Sequence, residues 1–145
     1  MSRAHLRFQV DSRLATLLSQ EYSSSERALK ELVDNAWDAD AEQVAILLPT
    51  PLSGDPLVIQ DDGTGMTEEE LRRHYLSIAS DRRSRRGERT AGKNRLVKGR
   101  KGIGKFAGLM AAAVMALETR ARSRSCRIIL RLDVGCRMIA HLLDE

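Results

Sequence analysis

Glu31-Leu32-Val33-Asp34-Asn35-Ala36-Trp37-Asp38-Ala39 is the stretch on which the fold turns. Leu29, Leu32, Val33 and Ala36 recur at helical spacing and predict a helix over roughly 24–40 with one apolar face. Ser23, with Glu26 three residues on, fits a capping box that starts it. Glu31, Asp34, Asn35 and Asp38 repeat on the opposite side. Glu31, Asn35 and Asp38 lie four and then three residues apart, so their side chains share a face. A neutral carboxamide can coordinate magnesium, which prefers oxygen ligands and keeps several waters. A carboxylate one turn away can accept a proton from an attacking water. The plainer alternative is a solvated acidic face, which amphipathic helices commonly carry.

Working outward, residues 11–22 read as a short helix with Leu14, Leu17 and Leu18 on one side. Residues 43–48 read as a strand, and a Pro- and Gly-containing loop follows. Leu57-Val58-Ile59 is a short apolar strand that runs into Asp61-Asp62-Gly63-Thr64-Gly65. Glycines there permit a tight turn and close backbone approach to a ligand. A carboxylate at the strand end can accept from an exocyclic amine such as that of adenine; a plain Asp-Gly turn is the alternative. Thr67 and Glu70 form a second capping box, opening a helix with Leu71, Tyr75 and Ile78 on one face.

Between 80 and 101 only Leu96 and Val97 are large aliphatics. Structureless loops of about 20 residues are uncommon in compact domains and often act as lids. Residues 82–101 carry ten Lys or Arg and one acid, Glu88, which leaves 24 − 10 = 14 basic and 20 − 1 = 19 acidic residues elsewhere. The net charge of +4 therefore comes from this one segment. Its like charge predicts mobility in the absence of a polyanion, and such a segment can meet phosphate or nucleic acid.

Gly99-Arg100-Lys101-Gly102-Ile103-Gly104-Lys105 follows. Glycines at a helix start expose N–H groups to an anion, and the helix dipole adds to the attraction. The stretch mimics the start of a P-loop, but Phe106 stands where a hydroxyl is needed, and no apolar strand precedes it. A dinucleotide fingerprint fails for the same lack of a strand. An Ala-rich helix is predicted to about 115, then period-two strands over 117–122, 126–133 and 136–143. Helices followed by a meander predict an α+β sandwich in a single domain spanning 1–145.

Aromatic residues make up 3% of the chain, so its core must be aliphatic. No apolar run approaches the roughly 20 residues of a membrane helix. The first ten residues lack the apolar segment of a secretory signal, so a cytoplasmic location is expected. Cys126 and Cys136 then read as small buried hydrophobes rather than a disulfide.

The three signals occur in one order, and in that order the chain resembles the gyrase, heat-shock chaperone, histidine kinase and MutL (GHKL) ATPases. The hallmark is the helix, then Asp62-Gly63-Thr64-Gly65-Met66, then a basic lid over 80–101, then the glycine-rich turn. The resemblance implies a two-layer Bergerat-type fold, with helices on one face of a mixed, mostly antiparallel sheet. After Leu143 it implies a closing strand that these residues do not supply. It implies ATP and Mg2+ as cofactors, Asn35 as the magnesium ligand and Glu31 as general base. Asp62 looks like the adenine anchor, with Gly63, Gly65 and Met66 shaping its pocket. Gly99, Gly102, Ile103, Gly104 and Lys105 look like the phosphate turn, and Asp38 closes the helix motif. Glu31 fits the hydrolysing branches better than the kinases. A nucleotide-dependent homodimer, and a DNA or protein client reached through other domains, are the partners implied; a membrane is not. Two other readings stay open: an ATP-binding switch without turnover, and a nucleic-acid-binding protein that uses the basic segment.

Overall fold

The structure is a computed structural model that describes residues 24–75, 87–99, 104–112, 114–132 and 138–143. Helix α1, Ser25–Asp38, begins one residue later than its sequence suggests. Ser24 is the cap, and its hydroxyl accepts from the Arg27 N–H at 3.4 Å. Ser23 and the 11–22 helix lie outside the described residues. Ala28 and Ala36 are fully enclosed on the inner side of α1, while Leu29, Leu32 and Val33 are half-buried. Small residues at the contact let neighbouring elements approach closely. The helix stops at Ala39 and Asp40, and Asp40 turns left-handed at φ 62°.

Strand β1, Val44–Leu47, pairs antiparallel with β2, Val58–Asp61, so that Val44 faces Asp61. Both strands are slightly displaced from their sequence-based bounds. Helix α2, Glu68–Glu70, runs into a π-helical turn, Leu71–Tyr75. Its expected capping box is present: the Glu70 N–H donates to the Thr67 hydroxyl at 3.3 Å, and Glu70 accepts from the Thr67 N–H at 2.9 Å. Leu71 is fully buried, as its periodicity suggests, and Ile78 is outside the described residues.

The alanine-rich segment departs from expectation. A 3-10 turn, Gly104–Phe106, leads to a single helical turn α3, Gly108–Ala111. Ala112 is already extended, and β3, Val114–Ala121, begins where helix was expected. Alanine's local preference loses to strand pairing here, since Val114 and Met115 pair with Arg131 and Leu130 of β4, Arg124–Leu132. Strand β5, Met138–Leu143, completes a β3-β4-β5 meander. Every described pairing is antiparallel, in keeping with the mostly antiparallel sheet expected, and the described strands fall in a two-stranded and a three-stranded sheet. The class is α+β.

α1 packs against both the 3-10 turn and α3, and α3 lies on β3 and β4. Phe106 and Leu71 are the large side chains sealed in the core. The ring of Tyr75 meets Phe106 edge-on, with centroids 5.7 Å apart. Cys126 sits opposite Thr119, and six ladder pairs separate it from the Leu132 end at which β5 starts. Cys136 is outside the described residues.

Candidate nucleotide site at the end of helix α1

The polar face of α1 is not a solvated surface. Asp34 is 8% exposed and Asp38 5%, while Glu31 and Asn35 are half-buried. Carboxylates this enclosed need partners, and the basic segment supplies them. Residues 87–99 form a tight turn closed by an Arg89–Leu96 bridge, with the Thr90 N–H donating to the Arg95 carbonyl at 2.8 Å. Asp38 accepts the Lys98 N–H at 2.8 Å and the Gly99 N–H at 3.0 Å. Asp34 accepts from the Lys98 ammonium at 3.0 Å and also pairs with Lys30. Asp40 accepts the Gly92 N–H at 2.8 Å, and Lys93 pairs with Glu42.

Trp37 completes the contact. Its indole N–H donates to the Leu96 carbonyl at 3.0 Å. The Arg95 guanidinium and the Lys98 ammonium lie 4.5 and 4.8 Å from its ring, within reach of a cation–π attraction. Arg95 also donates to the Ala41 carbonyl at 2.6 Å, and Val97 is buried. The segment whose charge predicts mobility is therefore docked over 87–99, because the acids of α1 and its exit neutralise it. Asp34, Trp37 and Asp40 were not among the site residues suggested by sequence. Their signal was the acidic complement of a basic loop far along the chain.

The charges leave their mark on acidity. Burial raises the Asp34 carboxyl, but its pairs with Lys30 and Lys98 outweigh that and leave it below the ordinary value. The Thr90 hydroxyl, with the Gly92 amide, holds Asp40 down as well.

The Asp-Gly loop reaches the same end of α1. The Thr64 N–H donates to the Ala39 carbonyl at 2.8 Å. A Cβ on Gly63 would stand 2.8 Å from Ala39 Cβ, so only glycine allows this approach. Gly65, at φ +66°, lies so close to β3 that a Cβ would meet the Arg120 carbonyl oxygen at 1.9 Å. The Met66 N–H donates to the Thr119 hydroxyl at 2.9 Å, which ties the loop to β3.

The two acids of that loop behave differently. One oxygen of Asp62 accepts the Glu42 and Gln43 N–H groups at 2.7 and 2.9 Å. The Gln43 and Glu42 amides depress its carboxyl. Asp62 thus clamps the start of β1 to the end of β2. Asp61 accepts the Gly63 N–H at 2.9 Å, beside the contact of Gly63 with Ala39. In the spacing D-x-G-x-G, Asp61 is the first position, a reading that the neighbouring Asp62 obscures.

The glycine-rich turn is described in part. Gly99 is held by Asp38, and Gly104 opens the 3-10 turn against α1. Gly102 and Ile103 fall outside the described residues. The Lys105 ammonium lies 5.4 Å from the Phe106 ring and 5.8 Å from that of Tyr75. The Tyr75 hydroxyl donates to the Lys105 carbonyl at 2.5 Å, and burial pushes its phenol well above the ordinary pKa.

A family model described as "Histidine kinase-, DNA gyrase B-, and HSP90-like ATPase" matches residues 22–138. The chain belongs to this family. As a histidine kinase-, gyrase B- and HSP90-like ATPase domain it is built around ATP as its nucleotide. It is 41% identical over 83 residues to a putative type II restriction enzyme HgiDII of Herpetosiphon aurantiacus, covering 57% of this chain and 13% of the relative. It is 28% identical over 144 residues to the chaperone protein HtpG of Streptomyces coelicolor, covering 83% of this chain and 22% of the relative. The ATPase domain thus spans less than a quarter of either relative's length. No helix among its described residues is long and apolar enough to cross a membrane.

Proposed function

We propose that the chain binds ATP with magnesium and hydrolyses it to ADP and phosphate, as the engine of a larger or dimeric ATPase. The observation that carries this reading is the meeting of three motifs on α1. Asp38 holds the Gly99 amide, Ala39 holds the Thr64 amide, and the turn opened by Gly104 packs on the helix.

The donor set suits magnesium. No cluster of three acids, histidines or cysteines exists among the described residues. A magnesium ion bound through phosphate oxygens and waters needs only one or two protein oxygens. The Asn35 carboxamide would supply one, and the ion would neutralise charge on the phosphates. Glu31, one turn earlier on the same face, takes the proton of the attacking water. The amide of Gly104 and the ammonium of Lys105 receive phosphate oxygens, together with Gly102 and Ile103, and Gly99, its amide held by Asp38, sets the start of that turn. Gly63, Gly65 and Met66 line the base.

For adenine, Asp61 suits the exocyclic amine better than Asp62, whose Oδ1 already takes two backbone amides. A carboxylate accepts from the amine of adenine and repels the carbonyl oxygen of guanine. Calorimetric titration with ATP and GTP tests this. Asp61→Asn should lose ATP affinity, whereas Asp62→Asn should chiefly lose stability. Equal affinity of the parent for GTP would sink the adenine assignment. Steady-state phosphate release separates an ATPase from a switch that binds without turnover.

The rival in which the basic lid serves nucleic acid draws less support. Lys93, Arg95 and Lys98 are engaged by Glu42, Ala41, Trp37 and Asp34. A nucleotide-dependent homodimer, a DNA or protein client handled through other domains, and a cytoplasmic location all accord with the engine reading. The name of the HgiDII relative favours DNA among the clients.

A further inference from the structure

Lys93 and Lys98 of the docked turn are paired with acids, and a second group of cations lies on the strand meander. Residues 119–132 hold five arginines and no acid. They form the end of β3, the β3–β4 turn and β4. Arg120 and Arg122 are exposed. Neither has an ion-pair partner among the described residues. Arg127 keeps a buried Nε that donates to nothing described. In register, Arg120 faces Ser125 and Arg127 faces Glu118, which puts these two arginines on one face of the sheet. Glu118, the acid on that face, sits inward of the tip.

The geometry of the tip is unusual. Arg122 and Ser123 both have positive φ, 51° and 66°. Two-residue turns of that kind normally use Asn-Gly or Gly-Gly. An arginine held left-handed is strained, and such strain gathers at functional positions. The pairs Ala121–Arg124, Arg120–Ser125 and Thr119–Cys126 also lie beyond the last β4–β5 pair, Arg127–Leu143. Among the described residues the tip is therefore a two-stranded ribbon.

We propose that this arginine-bearing ribbon is a docking surface for the phosphate backbone of duplex DNA. Guanidinium forks match phosphate oxygens bidentately. A two-stranded ribbon fits the major groove of B-form DNA, about 12 Å wide. The major groove of A-form RNA is too deep and narrow for that. No aromatic residue lies within 119–132, so the ribbon has nothing on which to stack the bases of a single strand. The ribbon offers DNA side chains that the ATP reading does not use: Thr119 and the backbone of Arg120 hold the Asp-Gly loop, whereas the guanidinium groups of Arg120, Arg122 and Arg127 are not assigned to nucleotide.

The test uses the full chain and a fluorescently labelled duplex DNA, read by anisotropy across a salt series without nucleotide. The parent should bind with a steep salt dependence. Arg120→Ala, Arg122→Ala and Arg127→Ala combined should lower the slope of log K against log salt by about 1 per arginine removed. Arg73→Ala, which removes a cation already paired with Glu69 on α2, should change nothing. Arg122→Gly guards against a misfolded triple variant: it suits the turn, so stability should hold or rise while the slope still drops by about 1. An unchanged slope in the Arg122→Gly or triple variant overturns the proposal, and so does an equal loss in Arg73→Ala. Tighter binding of duplex RNA or of polyglutamate than of duplex DNA overturns the assigned partner. Magnesium-ATP titration of the same variants should match the parent, which keeps failure here distinct from failure of the nucleotide site.

Discussion

Gly65 meets the carbonyl of Arg120 so closely that no other residue fits. Its φ of +66° adds a backbone cost for any L side chain. The Arg120 atoms that a Cβ would strike are backbone and cannot swing aside as a side chain could. Gly65→Ala is expected to destabilise the chain by roughly 3 kcal/mol or more, a combination of overpacking and a strained φ. Urea denaturation checks this, and a loss under about 1 kcal/mol would mean that β3 can slide away from the loop. Glu31 and Asn35 call for a different measurement, because their proposed work is chemical. Glu31→Ala should leave ATP affinity nearly intact and slow phosphate release by ~10²–10⁴, the usual contribution of a positioned base. Hydrolysis at the parental rate would end the general-base role. Asn35→Ala should abolish magnesium-dependent nucleotide binding in calorimetry; undiminished affinity would remove it from the metal. Asp38 is expected to act otherwise, since its two oxygens already hold the Lys98 and Gly99 amides.

At the scale of elements, the docked turn of residues 87–99 depends on ionised acids. Asp40 and Asp34 have lowered pKa values in the fold. Their contribution is therefore fully present above the ordinary carboxylate value and is lost as pH falls below it, through the folded value. The Gly92 amide, bonded to Asp40, should keep a constant resonance from pH 7 down to about 4 and move only below that. An inflection at pH 5 or higher would contradict the pairing. Much of this architecture was legible beforehand. The spacing in α1, the Thr67–Glu70 box and the period-two strands all rest on local rules, and they reappear in the structure. The docking of the basic turn was not legible, because its acids lie some fifty to sixty residues away in sequence. Nor was the short α3, since pairing of β3 with β4 overrides the preference of a run of alanines. Asp61 and Asp62 are adjacent acids whose different backbone partners, Gly63 for one and Glu42 and Gln43 for the other, no local rule announces. Gly102 and Ile103 remain expectations, outside the described residues.

At the scale of the molecule, the match over 22–138 makes this a nucleotide domain of an ATPase family, whose relatives carry much longer chains. Anything that binds the folded state stabilises it by mass action, so magnesium-ATP at 100 times its Kd should add about 2.7 kcal/mol to unfolding. GTP at equal concentration should add much less, and a melting temperature that nucleotide leaves unmoved would argue against binding by this chain alone. Trp37 offers a way to watch the site without any label. It is the chain's one tryptophan, and it sits beneath two cations of the docked turn. Indole emission responds to nearby charge and to water, so its colour and intensity report whether Arg95 and Lys98 are on the ring. The protein therefore carries its own optical gauge beneath the turn of residues 87–99, readable in stopped flow as nucleotide is added.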